Sequence, residues 1–347
     1  MQFRHMRSTD GVDPVTNVEL ELQSDGHYCF YWSPAVGVGP YTLYALANPD
    51  HVTRERLLLR DARPGARVLA TRPGAREYFY LEGGDGSGLV LAQRNVPLAG
   101  SINFRDLGGY ATGDGRRLSW GRLFRSGHMA NLSEDSLAQF AALDIRAVCD
   151  FRTQAERASE IRGLPNNPRV DVLGITPGIG DSQFFDRLFN STEDPQKVVE
   201  AVQAMMRVLV TTAAPHYQRM FDVLLEDAPG AVLLNCSAGK ERTGLASVLL
   251  LTALGVPRAT IGYDFMLSKR YFPAEAEIPR VITKYSVRAS AEVARKIIMP
   301  LLETRESYLQ SAFDAIDEHY GSGEGMLQTL YGLGPSECAR LRDQFTS

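Results

Sequence analysis

Nine residues restrict this chain more than any others: Cys236-Ser237-Ala238-Gly239-Lys240-Glu241-Arg242-Thr243-Gly244. An unbroken apolar run, Ala231-Val232-Leu233-Leu234-Asn235, precedes them, and an apolar helical stretch from Thr243 to Leu254 follows and stops at Gly255. A short continuous apolar run fits a strand buried on both faces, and strands of that kind belong to parallel sheets with helical crossovers. The segment therefore reads as strand, loop and helix N-terminus. Successive N–H groups of such a loop, together with the positive helix end, form a nest for a tetrahedral dianion, and Arg242 can grip two of its oxygens. Ser237, Ala238, Gly239, Lys240 and Thr243 complete the expected phosphate-binding wall. Cys236 would lie below the phosphorus. The same positive field favours thiolate over thiol, and the Thr243 hydroxyl can hydrogen-bond the sulfur as it leaves.

Gly239-Lys240 also invites a nucleotide-binding reading. That motif needs glycine where Leu234 stands and Ser or Thr where Glu241 stands, so it fails at both ends. A buried, inert cysteine beside a capping loop is the plain alternative, but it leaves the arginine and the Gly-Lys pair unexplained.

The remaining chain divides in character near residue 98. From about 14 to 97, short alternating or aromatic runs are separated by turn residues: Val18 to Leu22, Tyr28 to Trp32, Tyr41 to Ala47, Arg67 to Thr71, Glu77 to Leu81 and Leu89 to Gln93. Strands at this spacing without helices between them predict a small all-β sandwich of immunoglobulin or fibronectin type over residues 1–97. Beyond 98, helical periods alternate with short apolar runs, and an α/β unit is expected over 98–347. Ser133 caps a helix through Leu143, Ile145 to Cys149 forms the next strand, and Asp150-Phe151-Arg152 closes it. Leu309, Phe313 and Ile316 share a helical face before Gly321, and a last helix runs from about Pro335 to Phe345.

Composition removes several classes of function. Lys plus Arg number 37 against 41 Asp plus Glu, a net charge of −4 with no basic footprint for nucleic acid. The longest apolar run, about Leu245 to Val256, is roughly half of the ~20 residues a membrane span needs, and the N-terminus carries no export pattern. A cytoplasmic protein without an integral membrane segment is expected. Cys29, Cys149, Cys236 and Cys338 have neither disulfide nor metal spacing, so free thiols in a reducing compartment and no metal or cofactor are expected.

The C-x5-R loop resembles the signature of the cysteine-dependent protein tyrosine phosphatase superfamily, and its extended form is similar to that of the bacterial tyrosine/serine phosphatases. Asn103-Phe104-Arg105-Asp106-Leu107-Gly108-Gly109-Tyr110, Leu123-Phe124-Arg125-Ser126-Gly127, and Cys149-Asp150-Phe151-Arg152 with Glu156 follow that family's patterns in order, as does Tyr263 to Ser268. The resemblance covers about 98–347 and implies a parallel sheet flanked by helices, with a helical lid between about Arg270 and Glu303. Two positions depart from it: Asn235 stands where the family has histidine and Glu241 where it has aspartate.

What the resemblance implies is metal-free hydrolysis of a phosphomonoester through a phosphocysteine on Cys236, with Arg242 as the clamp. Phosphotyrosine protein is the leading substrate class. The Gly239-Lys240 placement, similar to loops of tensin-like phosphatases, adds phosphoinositides. Asp150 and Glu241 compete for the general acid; Asp150 is preferred because strand ends in open α/β sheets carry the site. A loop-capping ion pair is its structural alternative. Lys240 is one of only five lysines beside 32 arginines and would add charge at the loop's rim. Arg105, Asp106, Arg125 and Arg152 read as a buried ion-pair scaffold, His128 as ordinary surface, and Cys149 as a core thiol that can approach Cys236 under oxidation. The rival class is a pseudophosphatase that binds phosphorylated partners, kept open by Asn235 and Glu241. A third reading makes the sandwich the functional centre.

Overall fold

The computed structural model describes residues 18–33, 36–72, 75–159, 164–166, 168–176, 183–226 and 230–347. The first seven strands are β1 (Val18–Leu22), β2 (His27–Trp32), β3 (Tyr41–Leu46), β4 (Arg56–Ala62), β5 (Ala66–Leu69), β6 (Tyr78–Glu82) and β7 (Gly88–Ala92). They form two antiparallel sheets, ordered β1-β2-β5 and β4-β3-β6-β7. Their inward residues, among them Leu20, Phe30, Leu43, Phe79 and Leu91, make a core of their own. Strand β4 is absent from the sequence reading. Its three consecutive leucines, Leu57 to Leu59, do not alternate, it lies at the sheet edge, and most of it is exposed, so burial left no period to read.

The second group of strands is β8 (Arg105–Asp106), β9 (Leu123–Ser126), β10 (Ile145–Asp150), β11 (Arg169–Val172) and β12 (Ala231–Asn235), in the order β11-β10-β12-β9-β8. All neighbours are parallel except β8 with β9. Register aligns Asp150, Asn235 and Ser126 at the C-terminal edge, where open parallel sheets place their ligands.

The helices in chain order are α1 (Glu134–Ala142), α2 (Gln154–Ser159), α3 (Phe184–Phe189), α4 (Pro195–Thr212), α5 (Ala214–Leu224), α6 (Glu241–Ala253), α7 (Arg258–Met266), α8 (Ser268–Tyr271), α9 (Ala274–Lys284), α10 (Ala291–Leu302), α11 (Glu306–Tyr320), α12 (Gly323–Tyr331) and α13 (Pro335–Phe345). Ser133 caps α1 by accepting from the Ser136 N–H, as its sequence position requires. Helix α6 is apolar on all sides because it is packed on all sides, and Gly255 at φ +77° stops it. The segment expected as a lid folds as α9 and α10. Val281, Ala294, Ile297, Ile298 and Leu302 bury it in the same core as α6. Among the described residues, no helix is long and apolar enough to cross a membrane.

Candidate active site

Strand β12 delivers the loop, and Asn235 anchors its start. The buried Asn235 amide donates to the Gly127 carbonyl at 2.6 Å and to the Ser126 hydroxyl at 3.2 Å, which ties β12 to the turn after β9. The next residue, Cys236, is buried, and its sulfur accepts the Gly239 N–H at 3.2 Å. That bond is possible because Gly239 sits at φ +68°. A Cβ there would lie 2.5 Å from the Gly127 nitrogen, so only glycine fits. The Gly239 carbonyl is turned outward and takes donors from Arg125 at 2.8 Å and from Asn103 at 3.0 Å.

Beneath the loop lies an ion-pair cluster with no solvent contact. Asp264 accepts from Arg105 at 3.2 Å and Arg125 at 2.6 Å, and the Tyr110 hydroxyl adds a third donor at 3.1 Å. Burial alone would raise the Asp264 pKa, but the flanking guanidiniums of Arg105 and Arg125 lower it to about 2. The scaffold reading of Arg105 and Arg125 therefore matches the geometry, with Asp264 as their partner. Asp106 pairs instead with Arg76, at 2.7 Å, across to the first pair of sheets.

Arg242 opens α6 and is held from three directions. It donates to both oxygens of Glu156, at 2.7 and 2.9 Å, and to the carbonyls of Phe151 and Ile175, each at 3.0 Å. Burial works against its charge, yet Glu156 and the nearby Cys236 sulfur hold its pKa above the ordinary arginine range. Glu156 is driven the other way. Burial would raise its pKa, but Arg242 and Lys284 hold the carboxyl far below the usual carboxylate range. The Lys284 ammonium reaches Glu156 at 2.6 Å from the end of α9. On the same helix, Arg280 donates to the Ser237 hydroxyl at 3.1 Å. Ser237, Glu241, Arg242, Arg280 and Lys284 surround a cavity of about 60 Å³ above the loop. A braced guanidinium, two further cations and a helix N-terminus thus border one small anion-sized space, and Cys236 immediately precedes its lining residue Ser237.

Residues 96–347 match the model of the tyrosine phosphatase family, more than half of the chain. The chain belongs to the tyrosine phosphatase family. It is 32% identical to a Cupriavidus necator protein named for tyrosine-protein phosphatase, over 70% of this chain and 85% of that one. It is 30% identical to the triple specificity protein phosphatase PtpB of Mycobacterium tuberculosis, over 73% of this chain and 98% of the relative. A tyrosine-protein phosphatase of Nostoc commune is 24% identical over 63% of this chain and 72% of its own length. The protein is a protein tyrosine phosphatase.

The phosphatase places its other expected residues unevenly. Asp150 is buried at the end of β10, with its carboxylate closed on Arg152 through bonds of 2.9 to 3.2 Å, so the ion-pair alternative describes it better than an acid facing the cavity. Among the described residues, Glu241 is the carboxylate on the cavity wall that lies in the loop. Lys240, expected at the rim, is 2% exposed and turned away from the surface. Its ammonium meets the carbonyls of Leu301 and Leu302 in α10 and of Glu303 at its C-cap, pairs with Glu241 at 3.3 Å and lies 4.8 Å from the Phe272 ring centre. The Thr243 hydroxyl is wholly buried and has no hydrogen-bond partner among the described residues. Cys149 is a free core thiol whose pKa burial pushes up, and Cys236 is free as well. His128 is more than surface: its N–H donates to the Ser237 carbonyl at 2.8 Å, and its ring stands 3.6 Å from Glu277 of α9.

Sequence reading left Glu156, Asn103 and Asp264 without roles, although each lies inside a segment quoted for the resemblance. The face of α9 toward the loop, with the buried Glu277 and the half-buried Arg280 and Lys284, carried no signal beyond the scarcity of lysine.

Proposed function

We propose that this phosphatase hydrolyses phosphomonoesters through a covalent phosphocysteine on Cys236. The observation that carries the reading is the Cys236 sulfur held by the Gly239 N–H at the start of α6, with Arg242 braced by Glu156 beside it. The sulfur attacks phosphorus, the bond to the leaving oxygen breaks, and that oxygen takes a proton. Water then attacks the phosphocysteine, gives up a proton, and releases phosphate and the Cys236 thiolate. We assign the proton to Glu241, because it lines the cavity, paired there with Lys240 at 3.3 Å, while Asp150 is closed on Arg152 and is not among the lining residues. Ser237, Ala238, Gly239 and Thr243 form the phosphate cradle. The unpartnered Thr243 hydroxyl suits a donor to the departing sulfur.

Phosphotyrosine protein is the proposed substrate class. The cations Arg280 and Lys284 beside Arg242 also favour phosphoinositides and phosphoserine or phosphothreonine peptides, in keeping with the triple specificity in the mycobacterial relative's name. A cavity of about 60 Å³ is far below the 300–1,000 Å³ of ordinary ligand sites, so α9 and α10 act as a lid that moves for substrate. The sandwich domain of immunoglobulin or fibronectin type proposed for residues 1–97, described from residue 18 onward, is supported by a core of its own and a three-plus-four strand order. A cytoplasmic setting would keep Cys236 reduced.

The deciding experiment is turnover of para-nitrophenyl phosphate, a phosphotyrosine peptide and soluble phosphoinositides in chelator, by wild type and Cys236→Ser. Loss of turnover in the variant, with phosphocysteine trapped in wild type, supports the reading. Absent turnover with retained phospholigand binding makes the protein a pseudophosphatase.

A further inference from the structure

Lysine in an anion-binding loop ordinarily serves as a point charge for the bound phosphate. Lys240 is spent otherwise. An ammonium has three hydrogens to donate, and the shortest contacts take them to the carbonyls of Leu301 at 2.8 Å, Leu302 at 2.6 Å and Glu303 at 2.9 Å, with the Glu241 carboxylate a longer ion-pair partner at 3.3 Å. These carbonyls belong to the last turn and C-cap of α10, where a helix has no acceptor-satisfying N–H of its own and carries the negative end of its dipole. The Phe272 ring below the ammonium favours the cation further. One loop residue therefore closes the open end of a helix 61 positions away in sequence.

We infer that Lys240 is a positioning residue: a clasp that fastens the C-terminus of α10 to the catalytic loop and holds the site closed, not a ligand of the substrate phosphate. The inference deepens the proposed function, since it rests on the cavity above Cys236 being the substrate site. From the other side, Arg280 of α9 reaches the loop directly at Ser237, and Lys284 reaches Glu156 of α2, which bonds Arg242. Opening the cavity requires the three Lys240 bonds to break. Closing it re-forms them, and the same residue that follows Gly239 in the cradle thereby couples lid position to loop conformation.

The test uses the full chain with Lys240→Met, which keeps the length of the side chain and removes its donors. Amide hydrogen exchange across residues 297–305 is expected to quicken at least fivefold relative to β10, while the calorimetric dissociation constant for inorganic phosphate changes less than threefold. Unchanged exchange would overturn the clasp, and unchanged exchange with phosphate binding weakened tenfold would make Lys240 a phosphate ligand. Phe272→Leu guards against a misfolded first variant: it leaves the ammonium in place, removes the ring, and should quicken exchange over the same residues by a smaller factor. Unchanged exchange in that variant would also count against the clasp. Neither readout depends on turnover, so failure of the phosphatase mechanism would show separately as an inactive wild type.

Discussion

Glu156 holds Arg242 by two hydrogen bonds, of 2.7 and 2.9 Å, between residues 86 positions apart, and both side chains are buried. Together with the Phe151 and Ile175 carbonyls the pairing takes up Nη1 and one hydrogen of Nη2, which leaves Nε and the other Nη2 hydrogen for an oxyanion. Lys284 bonds the same carboxylate from α9, so the residue that holds Arg242 is also tied to that helix. Losing one partner of a buried pair strands the other charge.

Glu156→Gln is therefore expected to cost about 3–5 kcal/mol of stability, the range for a broken buried pair. It should also lower kcat/KM more than KM alone can explain. Denaturant melts and steady-state kinetics check both effects; a variant as stable and active as wild type would remove Glu156 from the site's support.

Acid should loosen the loop through Asp264. Its folded pKa of about 2 lies below the ordinary aspartate value of about 3.9, so its contribution is complete above about pH 4 and is lost as pH falls toward 2. By linkage that contribution is about 2–3 kcal/mol. Glu156 acts with the same sign, because its pKa is also depressed. Stability measured between pH 5 and 2 should fall with a slope that becomes shallower in Asp264→Asn.

Thr243→Val should separate activity from stability. The hydroxyl is buried without a partner among the described residues, so its removal leaves the melting temperature unchanged or higher, by up to about 1 kcal/mol of stability. Turnover should fall by about 10²-fold, the loss typical of one transition-state donor, with phosphocysteine accumulating. Rapid-quench trapping of the intermediate is the measurement, and unchanged kcat would assign the hydroxyl no part in sulfur departure.

Gly239→Ala forces a side chain into a left-handed conformation and against the Gly127 nitrogen. The backbone conformation alone costs about 1–3 kcal/mol, and the contact pushes the loop off Cys236. Both phosphate affinity and stability should drop together. A variant with lowered stability but intact phosphate affinity would mean that the N–H to Cys236 bond does not shape the cradle.

Leaving-group dependence distinguishes the two acids. Glu241→Gln should slow alkyl phosphates far more than para-nitrophenyl phosphate, because a poor leaving group needs its proton. Asp150→Asn should act chiefly on stability through Arg152. The reverse pattern in the two pH–rate profiles would return the role to Asp150.

By itself the amino-acid order determined whatever is written in contiguous residues. The strand, loop and helix from Ala231 to Ala253 form one local unit whose apolar runs, Gly239 and Arg242 state both the fold of the segment and its chemistry. The capped α1, the buried β10 and the glycine stop at Gly255 were legible for the same reason: propensity and burial period act within a few residues. Strand β4 was not, because an edge strand held by pairing with β3 buries only Ala62 fully, with the neighbours Leu58 and Leu59 partly buried, too little to impose alternation. The partners of the site were decided only by tertiary structure. Glu156 reaches Arg242, Asp264 joins Arg105 to Arg125, and Lys240 spans to α10, each across a long stretch of chain. A buried charge must find a counter-charge or a set of carbonyls, and sequence states that need without stating which distant group the folded chain will bring within 3 Å. That is why the loop from Cys236 to Arg242 was readable as a motif, while the brace, the scaffold and the turned-in lysine emerged only from packing.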